Sequence, residues 1–137
     1  METSCGVVLI NLGSILLLEY PQGHWDFPKG HLEEDDESRQ AAARRELEEE
    51  TGIDDVDIIE DFEMRTEYSF RHKGKRIHKQ VYWYIGITEQ MEVTISHEHR
   101  NHLWLDWDQA MEVLTHKESQ EILAAAQRHM DYISQKQ

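Results

Sequence analysis

Residues 30–53 read GHLEEDDESRQAAARRELEEETGI and combine a strong helix signal with a dense run of acidic side chains. From residue 37 to residue 51 the segment is rich in Ala, Arg, Leu and Glu, which favour helices. Gly52 follows at the position where a helix commonly ends on glycine. We therefore predict a helix over residues 37–51.

Three glutamates on this predicted helix share one face. Glu46, Glu49 and Glu50 are related as i, i+3 and i+4, so their side chains emerge about one turn apart. Like charges at this spacing repel unless they are well solvated or cations lie among them. Clustered carboxylate oxygens suit Mg²⁺ or Mn²⁺, and the alternative is an ordinary solvated acidic face.

The whole segment resembles the box of the Nudix (MutT-like) hydrolases, which reads G-x5-E-x7-R-E-U-x-E-E-x-G-U with U a bulky aliphatic residue. Every fixed position from Glu37 onward matches: Glu37, Arg45-Glu46-Leu47, Glu49-Glu50 and Gly52-Ile53. Gly30 lies seven residues before Glu37 rather than six, so the loop carries one extra residue. The resemblance implies an α+β Nudix fold over residues 1–137, with a mixed curved β-sheet sandwiched between helices as a single domain.

The resemblance also implies a reaction and its residues. Water attacks a phosphorus atom of a diphosphate linkage, and bound divalent metals neutralise charge and generate the nucleophile. The expected metal ligands are the carbonyl of Gly30 and the side chains of Glu46, Glu49, Glu50 and Glu98. The expected catalytic residues are Glu46, Glu49, Glu98 and Arg45. We further expect Arg45 to pair with a box glutamate such as Glu37.

Outside the box, the residue pattern predicts a sheet and two more helices. Apolar and β-branched residues predict two hairpins, and amphipathic spacing predicts the helices. The predicted elements are a hairpin of residues 6–10 and 14–20, a loop over 21–30, a long hairpin within 56–87, short strands at 93–95 and 102–105, a helix capped by Asp106 and running to Leu114, and a final helix over 118–132.

Three further stretches resemble the asymmetric diadenosine tetraphosphate hydrolases, a group within the Nudix family. They are Trp25-Asp-Phe-Pro-Lys-Gly-His31, the stretch of residues 58–84 with Glu67-Tyr68, Lys79 and Val81-Tyr-Trp-Tyr84, and Ser96-His-Glu-His99 leading to Trp104. This resemblance implies a dinucleoside polyphosphate as substrate. We expect phosphate contacts from Lys29, His31 and Lys79 and base stacking on Tyr68, Tyr82 or Tyr84, whereas Trp83 points to the core.

The composition indicates which partners and which compartment to expect. With 28 Asp+Glu against 14 Lys+Arg the net charge is -14, which argues against a stable nucleic-acid partner and favours a small-molecule nucleotide bound through metals. Five basic residues nevertheless fall within residues 71–79. A single cysteine, Cys5, excludes an internal disulfide and fits a reducing cytoplasm, and the apolar run at 15–18 is far too short to cross a membrane.

Two other functions are compatible with the same motif. One is a 5′ pyrophosphohydrolase acting on capped or triphosphorylated RNA, and the other is a domain that binds nucleotides without cleaving them. Retention of Glu46, Glu49 and Glu50 argues against the second. A zinc site at His97 and His99 is disfavoured, because neighbouring residues on a strand alternate faces and cysteine partners are lacking. The oligomeric state stays open.

Overall fold

The computed structural model describes residues 1–136, so Gln137 of the predicted domain lies outside the described residues. Within these residues, eight strands and three helices alternate irregularly. The strands are β1 (Glu2–Asn11), β2 (Ser14–Glu19), β3 (Trp25–Asp26), β4 (Lys29–His31), β5 (Asp57–Ile58), β6 (Met64–His72), β7 (Lys75–Ile87) and β8 (Asn101–Leu105), and the helices are α1 (Arg39–Thr51), α2 (Trp107–Val113) and α3 (Lys117–Gln135).

All eight strands belong to one mixed sheet. β1 runs parallel to β7 along nearly its whole length and antiparallel to β2 and β4. β6 and β5 pair with β7, and β3 and β8 pair with β2. Because helices cover both faces of the sheet, the residues of β1 from Ser4 to Asn11 are all buried, and they include the continuous apolar run of residues 7–10.

Helices cover both faces of this sheet. On one face, α1 packs its Ala42, Ala43 and Leu47 against the alternate side chains of β1 and β2. On the other face, α2 and α3 pack against the remaining side chains of the same strands, with Ile122 and Leu123 fully buried. The structure therefore confirms the predicted α+β architecture, a mixed sheet between helices.

The first helix begins two residues later than its sequence predicts. Ser38 is extended, and its hydroxyl accepts a hydrogen bond from Ala41 N–H, which makes it the N-cap. Glu37 therefore lies before the helix rather than in its first turn. At the other end, Gly52 has a left-handed φ of 76° and donates its N–H to the carbonyl of Glu48, as predicted for the C-cap.

Two predicted segments, a strand and a loop, differ in the structure. In both, the backbone forms hydrogen bonds with other elements that a local sequence pattern does not reveal. Residues 93–95 form no strand, because Thr94 N–H bonds the carbonyl of Thr51 at the end of α1. The predicted loop over 21–30 contains β3 and the first two residues of β4, which pair with β2 and β1 respectively. The long hairpin is confirmed as β6 and β7, with Lys73 and Gly74 at its turn.

Cys5 is fully buried on β1, where it packs as a small apolar residue. Burial raises the pKa of its thiol to about 11. Among residues 1–136, no helix is both long enough and apolar enough to pass through a membrane.

Candidate active site

A cavity of about 890 Å³ opens where α1, β4, the hairpin of β6 and β7, and the start of α3 meet. It collects residues that are far apart in the sequence. Nine residues predicted as functional line it: Lys29, Gly30, His31, Glu46, Glu49, Glu50, Tyr68, Lys79 and Glu98. Carboxylates from α1 therefore face lysines and an aromatic ring across one space.

The three glutamates of α1 occupy different environments. Side-chain exposure falls from 58% for Glu49 to 14% for Glu46 and 8% for Glu50. Burial raises the pKa of Glu46, while its ion pair with Arg45 acts in the opposite direction. The solvent exposure of the glutamates therefore decreases across this helix face, from the solvated Glu49 to the buried Glu50.

Glu50 is the most perturbed of these carboxylates. Burial, followed by the charges of Glu46 and Glu98, raises its pKa to about 8, although Lys29 N–H donates to its Oε1 at 3.0 Å. His99 Nε2 lies 3.5 Å from Glu50 Oε2 and has no hydrogen-bond partner among the described residues. A cation beside Glu50 would favour its charged form.

Gly30 fits closely against this face. It lies on β4, opposite Cys5 of β1, and a side chain added at its Cα would collide with the carboxylate of Glu46. Only glycine therefore allows the backbone of β4 to approach Glu46 this closely. This contact places the backbone of Gly30 directly beside the Glu46 carboxylate.

Glu98 reaches the cavity from a loop that is attached to the end of α1. Ser96 N–H bonds the carbonyl of Glu50 at 3.1 Å, and Ser96 Oγ lies 3.0 Å from His99 Nδ1. Glu98 itself is exposed at the rim. Within residues 1–136 no three His, Cys, Asp or Glu side chains are already arranged around a common metal position, and this applies to the α1 glutamates and Glu98 as well as to His97 and His99.

The opposite wall of the cavity carries positive charge. Burial alone would lower the pKa of Lys29, but Asp26 and Tyr68 more than offset that effect and the pKa is raised. Burial and the nearby Lys29 lower the pKa of Lys79. His31 is exposed at the entrance. Two cationic side chains thus stand inside the cavity and one imidazole stands at its edge.

Tyr68 presents its ring to the same space. It lies on β6 directly opposite Lys79 of β7, and the Lys29 ammonium is 5.7 Å from its ring centre. Its neighbour Phe70 also lines the cavity and is 39% exposed. The aromatic surface therefore continues from Tyr68 towards the outer end of the hairpin.

Comparison with known proteins decides the family. The family model described as NUDIX domain matches residues 2–126. The chain belongs to the Nudix family. It is 35% identical over 113 residues to the bis(5'-nucleosyl)-tetraphosphatase [asymmetrical] of Sus scrofa, covering 79% of this chain and 74% of that protein. The Caenorhabditis elegans protein of the same name is 32% identical over 111 residues, covering 80% and 78% of the two chains.

A solved structure agrees with this assignment. The crystal structure of a C. elegans Ap4A hydrolase binary complex superposes with a TM-score of 0.83 at 28% sequence identity, covering 96% of this chain and 98% of that one. The present protein is thus a Nudix hydrolase, with the predicted box glutamates on its first helix.

In this Nudix hydrolase the expected pair between Arg45 and Glu37 is not formed. The Arg45 guanidinium instead bonds the carboxylate of Asp36, and it also contacts Glu46 and Glu49. Glu37 precedes the N-cap of α1 and is exposed, and it is not among the carboxylates paired with Arg45 in the described residues. The supporting carboxylate in this chain is therefore Asp36.

Two of the three tyrosines predicted for base stacking are placed elsewhere. Tyr84 is 1% exposed within the core beneath α1, and its hydroxyl donates to Glu63. Tyr82 lies on that same face, where the Arg39 guanidinium covers its ring at 4.1 Å. Neither lines the cavity, so the prediction of stacking at these two residues is wrong. Trp83, predicted for the core, is 2% exposed.

Several cavity residues escaped the sequence analysis. They share one property, which is that no role was predicted for any of them: Tyr20, His24, Asp26, His116 and Ser119. Tyr20 stacks on His24, which in turn faces His116 across 5.1 Å. The only sequence signal was the position of Asp26 inside the Trp25–His31 motif, next to the predicted Lys29.

The five basic residues within 71–79 lie in two different places. Arg71, Lys73, Lys75 and Arg76 are all exposed at the tip. Lys79 lies further along β7 and lines the cavity. Among residues 1–136 none of the four tip residues forms an ion pair, so the tip is a local positive surface beside the site.

Proposed function

We propose that this Nudix hydrolase cleaves dinucleoside polyphosphates, and that it converts diadenosine tetraphosphate and water to ATP and AMP. The observation that carries the proposal is the single cavity in which the α1 carboxylates face Lys29, Lys79 and Tyr68. Such a space offers oxygen ligands for metal, cations for phosphate and a ring for a base. The relatives that bear the name asymmetrical tetraphosphatase support the same substrate.

The residues present fit a divalent metal such as Mg²⁺ or Mn²⁺. The α1 glutamates and Glu98 offer carboxylate oxygens, the ligands these metals prefer, and the backbone of Gly30 lies close to Glu46. We assign the ligands as Gly30, Glu46, Glu49, Glu50 and Glu98. When bound, the metal would neutralise phosphate oxygens and lower the pKa of water.

The side chains supply the other requirements of the reaction. Lys29, Lys79 and His31 neutralise phosphate charge that the metals do not reach. Tyr68 stacks against one adenine, a contact worth roughly 1–3 kcal/mol. A carboxylate, Glu49 or Glu98, takes the proton as the water oxygen forms a bond to phosphorus. The bridging P–O bond then breaks, and ATP and AMP leave.

Product analysis tests this proposal. Pure protein is incubated with diadenosine tetraphosphate and Mg²⁺, and the nucleotides are separated by ion-exchange chromatography. Equal amounts of ATP and AMP are expected. ADP as the only product, or no turnover, would contradict the proposal.

Variants on α1 provide a matched pair for the same assay. Glu49→Gln should reduce kcat by at least about 100-fold, since it removes a charged ligand from the site. Glu48→Gln changes the neighbouring exposed residue, which does not line the cavity, and should leave kcat unchanged. Equal activity of both variants would show that the carboxylate roles are wrong.

A second candidate function is removal of diphosphate from the 5′ end of triphosphorylated RNA. The exposed basic tip favours it, because Arg71, Lys75 and Arg76 lie beside the cavity and could contact phosphates of a chain. The net charge of -14 opposes it. A 5′-triphosphorylated oligonucleotide in the same assay distinguishes the two functions. Release of diphosphate from it supports the RNA function, whereas an intact oligonucleotide together with ATP and AMP from the dinucleotide supports the first.

A further inference from the structure

Asp26 is a buried carboxylate that the assigned roles leave unused. It lies on β3, lines the cavity and is 2% exposed. Its Oδ1 accepts hydrogen bonds from Phe27 N–H at 2.8 Å and from the Ser119 hydroxyl at 2.9 Å. Its Oδ2 lies 3.5 Å from Lys29 Nζ. A charge this deeply buried is tolerated only when its partners are held in place around it.

Ser119 connects this carboxylate to the far wall of the cavity. It is 3% exposed in the first turn of α3, and its neighbours Glu118 and Ile122 also line the cavity. The bond between Ser119 and Asp26 joins residues 93 positions apart in the chain. It therefore fixes the start of α3 relative to β3.

Lys29 connects the same carboxylate to the glutamate face. Its backbone N–H donates to Glu50 Oε1 at 3.0 Å, while its side chain turns towards Asp26. The ammonium is held between the rings of Tyr68 and Trp83, at 5.7 Å and 6.0 Å from their centres. One residue thus joins the carboxylates of α1 to Asp26.

We propose that Asp26 is a positioning residue of the substrate site, which holds the Lys29 ammonium at a fixed point opposite the α1 glutamates so that it meets a phosphate oxygen. The proposal rests on the proposed function. Asp26 does not act on the reacting atoms, since Oδ1 is occupied by Phe27 and Ser119 and Oδ2 faces Lys29. Its contribution is to limit the freedom of a four-carbon side chain before the substrate arrives.

The first test is Asp26→Asn. This variant keeps an acceptor for Phe27 and Ser119 but no longer attracts the ammonium. We expect the KM for diadenosine tetraphosphate to rise about 10-fold while kcat changes less than about 3-fold, because a ground-state phosphate contact is weakened. Glu63→Gln is the matched control. It alters a carboxylate bonded to Arg39 and Tyr84 outside the cavity and should leave KM unchanged.

A double-mutant cycle separates positioning from simple structural support. In a Lys29→Gln background, Asp26→Asn should raise KM no further, because the side chain through which Asp26 acts is gone. Additive increases in KM would overturn the proposal. So would an Asp26→Asn variant with a lowered Tm and unaltered KM and kcat.

Two further measurements apply if Asp26→Asn does not fold or if the wild type does not hydrolyse the dinucleotide. If Asp26→Asn does not fold, Ser119→Ala removes one restraint on the carboxylate and should raise KM about 2- to 5-fold; an unchanged KM would overturn the proposal. If the wild type does not hydrolyse the dinucleotide, the proposed function fails. Calorimetry with inorganic tripolyphosphate then tests the role of Asp26 alone. Asp26→Asn should weaken binding when it is made in the wild type and should have no effect when it is made in Lys29→Gln. Equal weakening in both backgrounds would overturn the proposal.

Discussion

Arg45 binds Asp36 through two parallel hydrogen bonds, from Nε to Oδ1 at 3.0 Å and from Nη2 to Oδ2 at 2.9 Å. The same guanidinium donates to the carbonyl of His31 and to Glu46. Asp36 follows Gly30 by six residues, the step at which the family box carries its first glutamate. The extra residue of this chain therefore lies after that carboxylate, and the Gly30 loop keeps its length.

The first prediction concerns which of two adjacent acidic residues, Asp36 or Glu37, supports Arg45. Asp36→Asn breaks the paired hydrogen bonds that orient Arg45 beside Glu46, so the Mg²⁺ concentration for half-maximal activity should rise about 10- to 100-fold, as for other groups that support metal ligands. Glu37→Gln should leave it unchanged, because Glu37 is exposed. Metal titrations of both variants check this, and a larger defect in Glu37→Gln would refute the assignment.

The second prediction concerns the stability of the metal-free protein. The folded-state pKa of Glu50 is about 8, against an ordinary value of 4.5. Between these values the unfolded carboxylate has lost its proton while the folded one keeps it. The free energy of unfolding should therefore fall as pH rises through this window, by at most about 1.4 kcal/mol per pH unit from this group.

Denaturant unfolding at pH 6 and pH 8 measures this effect. Glu50→Gln removes the group and should make the difference between the two pH values smaller, whereas Glu48→Gln should not. Added Mg²⁺ should raise Tm more at pH 8 than at pH 6, because a carboxylate ligand must be deprotonated to bind. Parallel pH profiles of wild type and Glu50→Gln would contradict the prediction.

Local patterns account for the parts of the site that were predicted correctly. The spacing of Glu46, Glu49 and Glu50 forces them onto one helix face, and Gly52 ends that helix, so neither depends on distant contacts. The alternation of side chains along a strand likewise predicted that Tyr82 and Tyr84 lie on one face of the sheet and Trp83 on the other. It could not determine which face α1 covers, and that choice buries Tyr84 and removes both tyrosines from the cavity.

Other residues depend on contacts that no local pattern encodes. Asp26 meets Ser119 across 93 positions, and the 93–95 segment bonds the end of α1 instead of another strand. Asp36 was missed for a different reason. The spacing counted back from Arg45 favoured Glu37, whereas the N-cap at Ser38 places Glu37 outside the helix and brings Asp36 to the guanidinium.

The third prediction tests which tyrosine binds a base. Tyr68→Leu removes the ring that lines the cavity and should raise the KM for diadenosine tetraphosphate roughly 5- to 150-fold, the range that corresponds to loss of one stacking contact. Tyr68→Phe keeps the ring and should stay near the wild-type KM. Tyr82→Leu alters a ring already covered by Arg39 and serves as control. A larger effect at Tyr82 would reverse the assignment.

The fourth prediction concerns Gly30. A methyl group at its Cα would meet the Glu46 carboxylate, so Gly30→Ala must displace either β4 or that side chain. A displacement of about 1 Å can lower a catalysed rate roughly 100-fold, and we expect kcat to fall by that order. Gly13→Asn, at an open turn with φ of 84°, should retain full activity, because asparagine tolerates this conformation.

A second substitution identifies the cause of the Gly30→Ala defect. If the methyl group acts by pushing on the Glu46 carboxylate, shortening that side chain with Glu46→Asp withdraws the group from the collision. The combined variant should then lose less kcat than the product of the two single losses predicts. Strict multiplicativity would instead place the defect in the backbone of β4, and full activity of Gly30→Ala would show that the close approach is not needed for catalysis.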